Sequence, residues 1–420
     1  MLPGTDFGPA SPLYEEDVEL AAQAGCNAFR LSIEWARIEP RKGQIDMAAV
    51  ARYHAILDAM DAAGIWFEDL GGFEKAENIQ HFVAWSIKAV ELFGSRITYW
   101  ATFNEPHRHE PSDRCATFLG WITGMHPPGK VLACITAGKV VMHMLQAHCE
   151  AYEAIKRTPI GKSLQVGLVH HHITFLATGP RLLRGLAAYA ADWMNYWWGY
   201  ELIHTWMLTG KFTWKIPVLG QWLEWQHPGG KPPCDWFGVN YYSSKLLTVV
   251  MTDMYYPIYA DGLYEALMQS SQYGIPIYIT ETGIADRSDK NRAIMIDKYM
   301  RATLRAIADG ADVRGFYYWT LVDNFEWNAG YLMEFGLYAW QPDGSVDRKL
   351  KEGAKALVRY FKALPSNLLA LRAAAARLAQ EGELPDHEQL HAEAEEVLHD
   401  LTARGHKGRR RHGHAMVAAT

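Results

Sequence analysis

The stretch ITYWATFNEPH, from Ile97 to His107, begins as an apolar run and ends in an amide, a carboxylate and a proline. β-Branched and aromatic residues dominate its first part, which is typical of a buried β-strand. Glu105 comes directly after this run, and a carboxylate is costly to bury unless it is paired. The stretch therefore predicts a strand that carries a functional acidic group at its carboxyl end.

Five further apolar runs resemble this one, and longer stretches with helical periodicity lie between them. The predicted strands are Ala28–Ile33, Ile97–Phe103, Gln165–His170, Trp236–Tyr241, Ile275–Thr280 and Gly315–Trp319. The predicted helices are Tyr14–Ala24, Ala48–Ala63, Ile79–Leu92, Ala137–Ile155, Asp261–Gln272 and Ile294–Ala308. Alternation of this kind favours a parallel sheet of the α/β class, with strands that are buried on both faces. Over more than about 250 residues it predicts a (β/α)8 barrel, the TIM barrel.

Polar or aromatic residues stand at or near the carboxyl ends of the predicted strands. In a barrel these ends meet on one face, where active sites are built, so we expect the side chains to converge there. The residues concerned are Arg30, Asn104, Glu105, His170, His171, Asn240, Tyr242, Glu281 and Trp319.

Composition excludes several classes of protein. The net charge of -6 gives no reason to expect a nucleic-acid partner. The five cysteines are scattered and form no CxxC pair, so a zinc site or a disulfide framework is not predicted. The start MLPGTDFGPASP does not resemble a signal peptide, and no apolar run is long enough to span a membrane. The expected location is therefore the cytoplasm or an organelle.

Three regions differ in character along the chain. Residues 1–365 carry the alternating pattern and form the predicted barrel domain. Residues 366–404 are rich in Ala, Leu and Glu and predict a helical extension. Residues 405–420 include GHKGRRRHGH, a basic segment with several glycines, and predict a disordered tail.

Two glutamates meet the chemical requirement for cleaving a glycosidic bond. In retaining enzymes one carboxyl group protonates the leaving oxygen, and a second one about 5 Å away attacks the anomeric carbon. Glu105 and Glu281 each follow or end a buried strand on the same predicted face. A positive charge at Arg30 would keep an attacking carboxylate ionised, and the phenol of Tyr242 could orient it.

Several motifs, in order, resemble those of family 1 glycoside hydrolases. TFNEP, YITETG and WTLVDNFEW are similar to the family's acid/base, nucleophile and sugar-binding motifs, and FRLSIEWARIEP, GVNYY and YADGLYEAL are similar to further segments. The match runs from Tyr14 to Pro365. By position the resemblance implies Glu105 as general acid/base, Glu281 as nucleophile, Asn104 as ligand of the sugar hydroxyl next to the reacting carbon, Arg30, Asn240 and Tyr242 as holders of the nucleophile, Trp319 as the floor of the sugar site, and Glu326 and Trp327 as ligands of distal hydroxyls. It implies no metal and no organic cofactor.

The chain departs from the family pattern at three places. Thr282 stands where the family usually has Asn. No counterpart of the family's first strand, with its sugar-binding Gln, is visible before Tyr14, and only Ile65 separates Gly64 from Trp66 where a third strand would lie. The barrel is therefore expected to be incomplete, without strands one and three. An incomplete gene model, a skipped exon, or a naturally reduced relative would each account for this.

Three functions remain open. The first is a retaining β-glycosidase that hydrolyses β-glucosides or β-galactosides by double displacement. The second is a galactolipid-type transglycosylase of the same family, since NEPH, VGLVHHHITF and the helical extension after Pro365 faintly resemble such enzymes. The Trp-rich stretch Trp193–Trp225 would then contact a membrane rather than pack on the barrel. The third is a non-catalytic sugar-binding protein. His170–His172 do not predict a metal site, because consecutive strand residues point to opposite faces.

Overall fold

A computed structural model of the protein describes residues 2–6, 20, 23, 28–33, 72–106, 132–176, 184–197, 200–217, 219–243, 257–324, 332–339, 348–364 and 414–419. Its strands are β1 (Leu2–Asp6), β2 (Ala28–Ile33), β3 (Tyr99–Asn104), β4 (Gln165–His171), β5 (Lys211–Ile216), β6 (Gly220–Gln226), β7 (Trp236–Asn240), β8 (Ile277–Thr282), β9 (Val313–Tyr318) and β10 (His414–Ala419). Its helices are α1 (Ile79–Phe93), α2 (Cys134–Arg157), α3 (Arg184–Trp197), α4 (Glu201–Thr209), α5 (Ala260–Ser271), α6 (Arg292–Ala308) and α7 (Lys355–Ala363).

Eight of these strands form a closed barrel, in the order β1-β2-β10-β3-β4-β7-β8-β9. Neighbouring strands run parallel throughout. Helices α1, α2, α5 and α6 lie in the chain between barrel strands, within three residues of their predicted limits. The predicted (β/α)8 class is confirmed. The remaining two strands, β5 and β6, pair as an antiparallel hairpin outside the barrel.

The sequence-based count of six strands is two short. β1 lies before Tyr14 and pairs with both β2 and β9, in the position of a first barrel strand. Its sequence, LPGTD, holds Pro and Gly, which are poor strand formers, so no pattern predicts it. Pairing on both sides supplies the backbone hydrogen bonds that such a segment needs.

The expected gap after β2 is filled from the other end of the chain. Among the described residues no strand lies between Ile33 and Tyr99 in sequence, and β10 takes the position between β2 and β3. The predicted disordered tail therefore differs from the structure over His414–Ala419, which are paired. An open barrel would leave two unpaired edges here, and an extra strand satisfies both.

The core has two layers. A large cluster joins the outward side chains of the strands to the helices, and a smaller one lies inside the barrel, among the side chains that the structure describes there. The interior cluster includes Val169, Trp236 and Tyr278. Gly167 is needed beside it, since a Cβ there would lie 2.4 Å from the Trp236 ring. Trp236 begins β7 and Tyr278 lies near the beginning of β8, so these two rings of the cluster pack toward the end of the barrel opposite the strand carboxyl ends.

The Trp-rich stretch mostly packs on the protein. Trp206 and Trp214 are buried, and Trp197 stacks on Trp214 with ring centroids 6.1 Å apart. Among the tryptophans of this stretch that the structure describes, Trp222 on the hairpin is the exception, at 47% exposed. In the described part of the chain, none of the helices has the length and apolar character that crossing a bilayer requires.

Some predictions fall outside the described residues. These are the helices Tyr14–Ala24, apart from Leu20 and Gln23, and Ala48–Ala63, together with the extension over residues 366–404. The domain limits stay predictions.

Candidate active site

Four strands that follow one another in the sheet, β3, β4, β7 and β8, bring most of the predicted site residues to one end of the barrel. The sheet register pairs Asn104 with Val169, His171 with Asn240, and Asn240 with Glu281. The carboxyl ends of β3, β4, β7 and β8 are therefore level, as the sequence predicts. Glu105 follows β3 directly and Trp319 follows β9 directly.

Glu105 is held in an unusual backbone conformation. Its φ is 52°, in the left-handed region that non-glycine residues seldom adopt, and its side chain is 3% exposed. Its backbone N–H donates to the carbonyl of Val169 at 2.9 Å, which ties the turn to β4. Strained backbone at a buried carboxylate is a common mark of a functional position.

The amide of Asn240 connects the two halves of the site. Its Nδ2 donates to Glu105 Oε1 at 2.7 Å and to Asn104 Oδ1 at 3.0 Å. Its Oδ1 accepts a hydrogen bond from the hydroxyl of Thr280 at 2.6 Å. The side chain is fully buried, so these partners satisfy groups that water does not reach. Asn240 thus lies against the predicted acid/base, whereas the resemblance assigned it to the nucleophile.

Glu281 lies near the end of β8 and is 4% exposed. The phenol of Tyr242 donates to its Oε2 at 2.7 Å, as the sequence predicts. Tyr242 is held in turn at its carbonyl by the hydroxyl of Tyr299, at 2.6 Å. The orientation of this carboxylate therefore depends on a second tyrosine, on α6, that no sequence motif indicates.

Trp319 forms one wall of the mouth. It is 8% exposed and packs in a cluster with Ala285 and Phe335, against which Tyr242 also lies. Gly283 lies under its backbone, because a Cβ at that position would be 1.9 Å from the Trp319 carbonyl oxygen. Any larger residue at Gly283 would displace the tryptophan.

Buried charges anchor the loop that follows β9. Lys351 contacts both Asp323 and Glu334, at 2.8 Å and 3.3 Å. Burial raises the pKa of Asp323, and the nearby Lys351 ammonium partly opposes that effect. Asp323 also accepts from the backbone N–H of Gly336 at 2.7 Å. These contacts tie Asp323, shortly after β9, to residues 334–336 and to Lys351.

Arg292 anchors the loop that follows Glu281. Its side chain is fully buried, and its guanidinium donates to an acidic group, a phenol and four backbone carbonyls. The acceptors are Asp289, Tyr318, Ile284, Asp286, Phe335 and Glu334. A single side chain therefore joins the segments on both sides of Trp319.

The three consecutive histidines point alternately, as expected of a strand. The ring of His171 lies 6.1 Å from Tyr242, toward the mouth, while His172 stacks on Tyr200 at 4.9 Å on the outer side. Burial lowers the pKa of His172 to about 3, so it is neutral at physiological pH. Across the described ranges, no group of three or more potential ligands is arranged to hold a metal ion.

The structure does not describe the side chains of three predicted site residues. Arg30 lies in β2, but its side chain is outside what the structure describes, as are Glu326 and Trp327 altogether. Sequence reasoning also missed Thr280, Tyr299 and Arg292. Each of these residues places a hydroxyl or a guanidinium in an otherwise apolar pattern, and such interruptions are too common in sequences to single these three out.

Thr282 presents a buried hydroxyl without a hydrogen-bond partner among the described residues. A buried unsatisfied polar group costs about 1–3 kcal/mol. We expect Thr282→Val to raise the free energy of unfolding by about 1 kcal/mol, because Val keeps the shape and removes the unpaired group. Chemical denaturation measures the change.

Thr303→Val is the matched control, because the Thr303 hydroxyl is equally buried but donates to the Tyr299 carbonyl at 2.8 Å. Loss of this hydrogen bond in Thr303→Val should lower the free energy of unfolding by about 1 kcal/mol. A loss of similar size in Thr282→Val would mean that the Thr282 hydroxyl is bonded.

Comparison with known proteins identifies the family. The family model described as glycosyl hydrolase family 1 matches residues 12–249 and 246–366. A β-galactosidase of Pyrococcus woesei is 25% identical, in an alignment that covers 78% of this chain and 80% of that protein. The rice protein "Beta-glucosidase-like SFR2, chloroplastic" is 27% identical, in an alignment that covers 80% of this chain and 53% of that protein.

A solved structure shows the same fold. The β-glycosidase from Pyrococcus horikoshii superposes with a TM-score of 0.70 at 28% identity, over 83% of this chain and 84% of that one. The motif order, the barrel and the family match, which spans most of the sequence, agree with one another. The chain belongs to glycosyl hydrolase family 1.

Proposed function

We propose that the protein cleaves β-glycosidic bonds with retention of configuration, with Glu105 as general acid and base and Glu281 as nucleophile. One observation carries this proposal. Two carboxylates, 3% and 4% exposed, stand at the mouth of the barrel, and each accepts a 2.7 Å hydrogen bond, from Asn240 and from Tyr242 respectively. Buried carboxylates held in this way are suited to different tasks on one substrate.

The reaction takes two steps. First, a carboxylate oxygen of Glu281 bonds to the anomeric carbon, the glycosidic C–O bond breaks, and the Glu105 proton passes to the leaving oxygen. In the second step Glu105 takes a proton from water, the water oxygen bonds to the anomeric carbon, and the bond to Glu281 breaks. Tyr242 limits rotation of the Glu281 carboxylate and so keeps it aimed at the sugar.

The remaining residues complete the sugar site in this proposal. Asn104 binds the hydroxyl next to the reacting carbon, and Trp319 supplies an apolar surface for the ring. In the same proposal Arg30 helps to position the nucleophile, while Glu326 and Trp327 bind the distal hydroxyls. No step requires a metal or an organic cofactor.

The proposed substrates are small-molecule β-glucosides or β-galactosides. The Pyrococcus relative is named a β-galactosidase and the rice relative a β-glucosidase-like protein, which supports both sugars. We propose a cytoplasmic or organellar location, with support from the word chloroplastic in the rice name. Imaging of the full coding sequence fused to a fluorescent protein tests the location.

Covalent labelling tests the chemistry directly. The protein is incubated with 2,4-dinitrophenyl 2-deoxy-2-fluoro-β-glucoside or the corresponding galactoside, and the intact mass is measured. We expect one added fluorosugar, carried by the peptide that contains Glu281, because the fluorine slows release of the intermediate. Glu281→Ala should remain unlabelled. Folded wild-type protein that neither gains the adduct nor turns over any aryl glycoside would contradict the proposal and favour a non-catalytic sugar-binding role.

A second candidate is transfer of the sugar to another lipid instead of water. Two exposed apolar residues on the β5–β6 hairpin favour it, Leu219 at 63% and Trp222 at 47%, because Trp is favoured at membrane surfaces. A galactolipid in mixed micelles would then act as donor and acceptor. Accumulation of an oligogalactolipid supports transfer, and release of free galactose alone supports hydrolysis.

A further inference from the structure

A chain of three buried side chains leads from β8 to the proposed acid/base. The Thr280 hydroxyl donates to Asn240 Oδ1 at 2.6 Å, and Asn240 Nδ2 donates to Glu105 Oε1 at 2.7 Å. Thr280 and Asn240 are both fully buried, and Glu105 is 3% exposed. Thr280 precedes Glu281 in the chain, but it acts on the other carboxylate.

The directions of these hydrogen bonds follow from which atoms can donate and which can only accept. An ionised carboxylate only accepts hydrogen bonds, so the atom of Asn240 that faces Glu105 is the NH2 nitrogen. The same nitrogen faces a second acceptor, Asn104 Oδ1, at 3.0 Å. The carbonyl oxygen of Asn240 must then face Thr280, whose hydroxyl is its donor. Turning the amide over would set its oxygen against two other acceptors.

We propose that Thr280 is a positioning residue for acid catalysis: its hydroxyl fixes the Asn240 amide, so that Nδ2 holds Glu105 Oε1 and the transferable proton is carried on Oε2. The inference rests on the proposed glycosidase function, which it deepens. An NH2 group cannot accept a hydrogen bond, so a proton on Oε1 could not be shared with Asn240 and would have to occupy the other lone pair of that oxygen. We therefore assign the O–H bond that breaks during leaving-group departure to Oε2.

Loss of the Thr280 hydroxyl removes the only donor that the structure describes for Asn240 Oδ1. The amide can then turn over and present Oδ1 to Glu105. A protonated Glu105 would donate to that oxygen and hold its proton away from the substrate. Attack by Glu281 does not depend on this bond, and the Asn104 amide, which contacts the same Asn240 nitrogen, can turn over together with it. The damage should therefore fall mainly on protonation of the leaving group.

Leaving-group dependence separates this effect from general damage. The enzyme is assayed as kcat/KM on 2,4-dinitrophenyl β-glycoside, whose phenolate leaves without a proton, and on octyl β-glycoside, whose alkoxide needs one. The sugar is whichever of glucose and galactose the wild type turns over faster. Thr280→Val should lower kcat/KM for the octyl substrate about tenfold or more, which is part of the ~10²–10⁴-fold acceleration that a general acid supplies. It should change kcat/KM for the dinitrophenyl substrate by less than about twofold.

Two further variants complete the experiment. Thr280→Ser keeps the hydroxyl and should restore octyl activity to within about threefold of wild type. Thr303→Val removes a buried hydroxyl in α6 that donates to the Tyr299 carbonyl and not to Thr280, Asn240 or Glu105. It should leave the ratio of the two activities unchanged. Equal losses on both substrates in Thr280→Val, no loss on either, or no rescue by serine would overturn the inference. Failure of the wild type on both substrates, without adduct formation, would instead overturn the proposed glycosidase function.

Discussion

Replacing Glu105 with Ala should lower kcat/KM for octyl β-glycoside at least about 10³-fold, because no group remains to protonate the alkoxide. The dinitrophenyl glycoside, which leaves without a proton, should lose far less. For this substrate the second step becomes limiting, since water loses its base. Added azide needs no base, so it should raise kcat and give a β-glycosyl azide, which NMR identifies.

Glu153→Ala is the matched control, because Glu153 is a surface glutamate on α2 with its side chain 55% exposed. It should leave both activities unchanged. A uniform loss on both substrates in Glu105→Ala, or an α-glycosyl azide product, would contradict the assigned role and the retaining mechanism.

Arg292→Met should lower the free energy of unfolding by about 3–5 kcal/mol. The guanidinium is fully buried and satisfies the Asp289 carboxylate together with backbone carbonyls from two loops. Met fills much of the volume but donates no hydrogen bond, so these acceptors would be left buried and unpaired. Chemical denaturation measures the loss, and covalent labelling of Glu281 at low temperature reports whether the site survives.

The matched control for this variant is Arg157→Met. Arg157 lies on α2 with its side chain 74% exposed and pairs with Glu153 at 3.6 Å. An exposed pair contributes about 0–1 kcal/mol, so the change should be small. Losses of similar size in the two variants would mean that the Arg292 network is not a major source of stability.

Most of the regular elements could be predicted from the sequence. The strands β3, β4, β7, β8 and β9 are continuous apolar runs, and the helices between them repeat apolar residues at helical spacing. Such local patterns indicate an element because the two faces of a buried strand and the inner face of a helix each need apolar side chains. β1 carries no such pattern, and the short apolar run of β10, HAMVAA, is rich in alanine and follows a basic segment, so only the pairing of the whole sheet reveals the two strands.

The candidate site could be predicted in part. Glu105 and Glu281 were visible because each interrupts an apolar pattern at a strand end, and both lie at the barrel mouth. The sequence does not indicate which carboxylate the amide of Asn240 contacts. Its amide reaches a carboxylate 135 positions away in the sequence, because the strand order sets β7 two places from β3.

The sequence by itself determined the barrel class, the family and the two carboxylates, because these depend on residue types at fixed positions relative to each strand. The tertiary structure decided which side chain holds which carboxylate: Asn240 holds Glu105, Tyr242 holds Glu281, and Thr280 supports Asn240. It also decided how the barrel closes, with β10 between β2 and β3. Hydrogen bonds and strand pairings of this kind join atoms that are distant in the chain, and only the packed sheet brings them within reach.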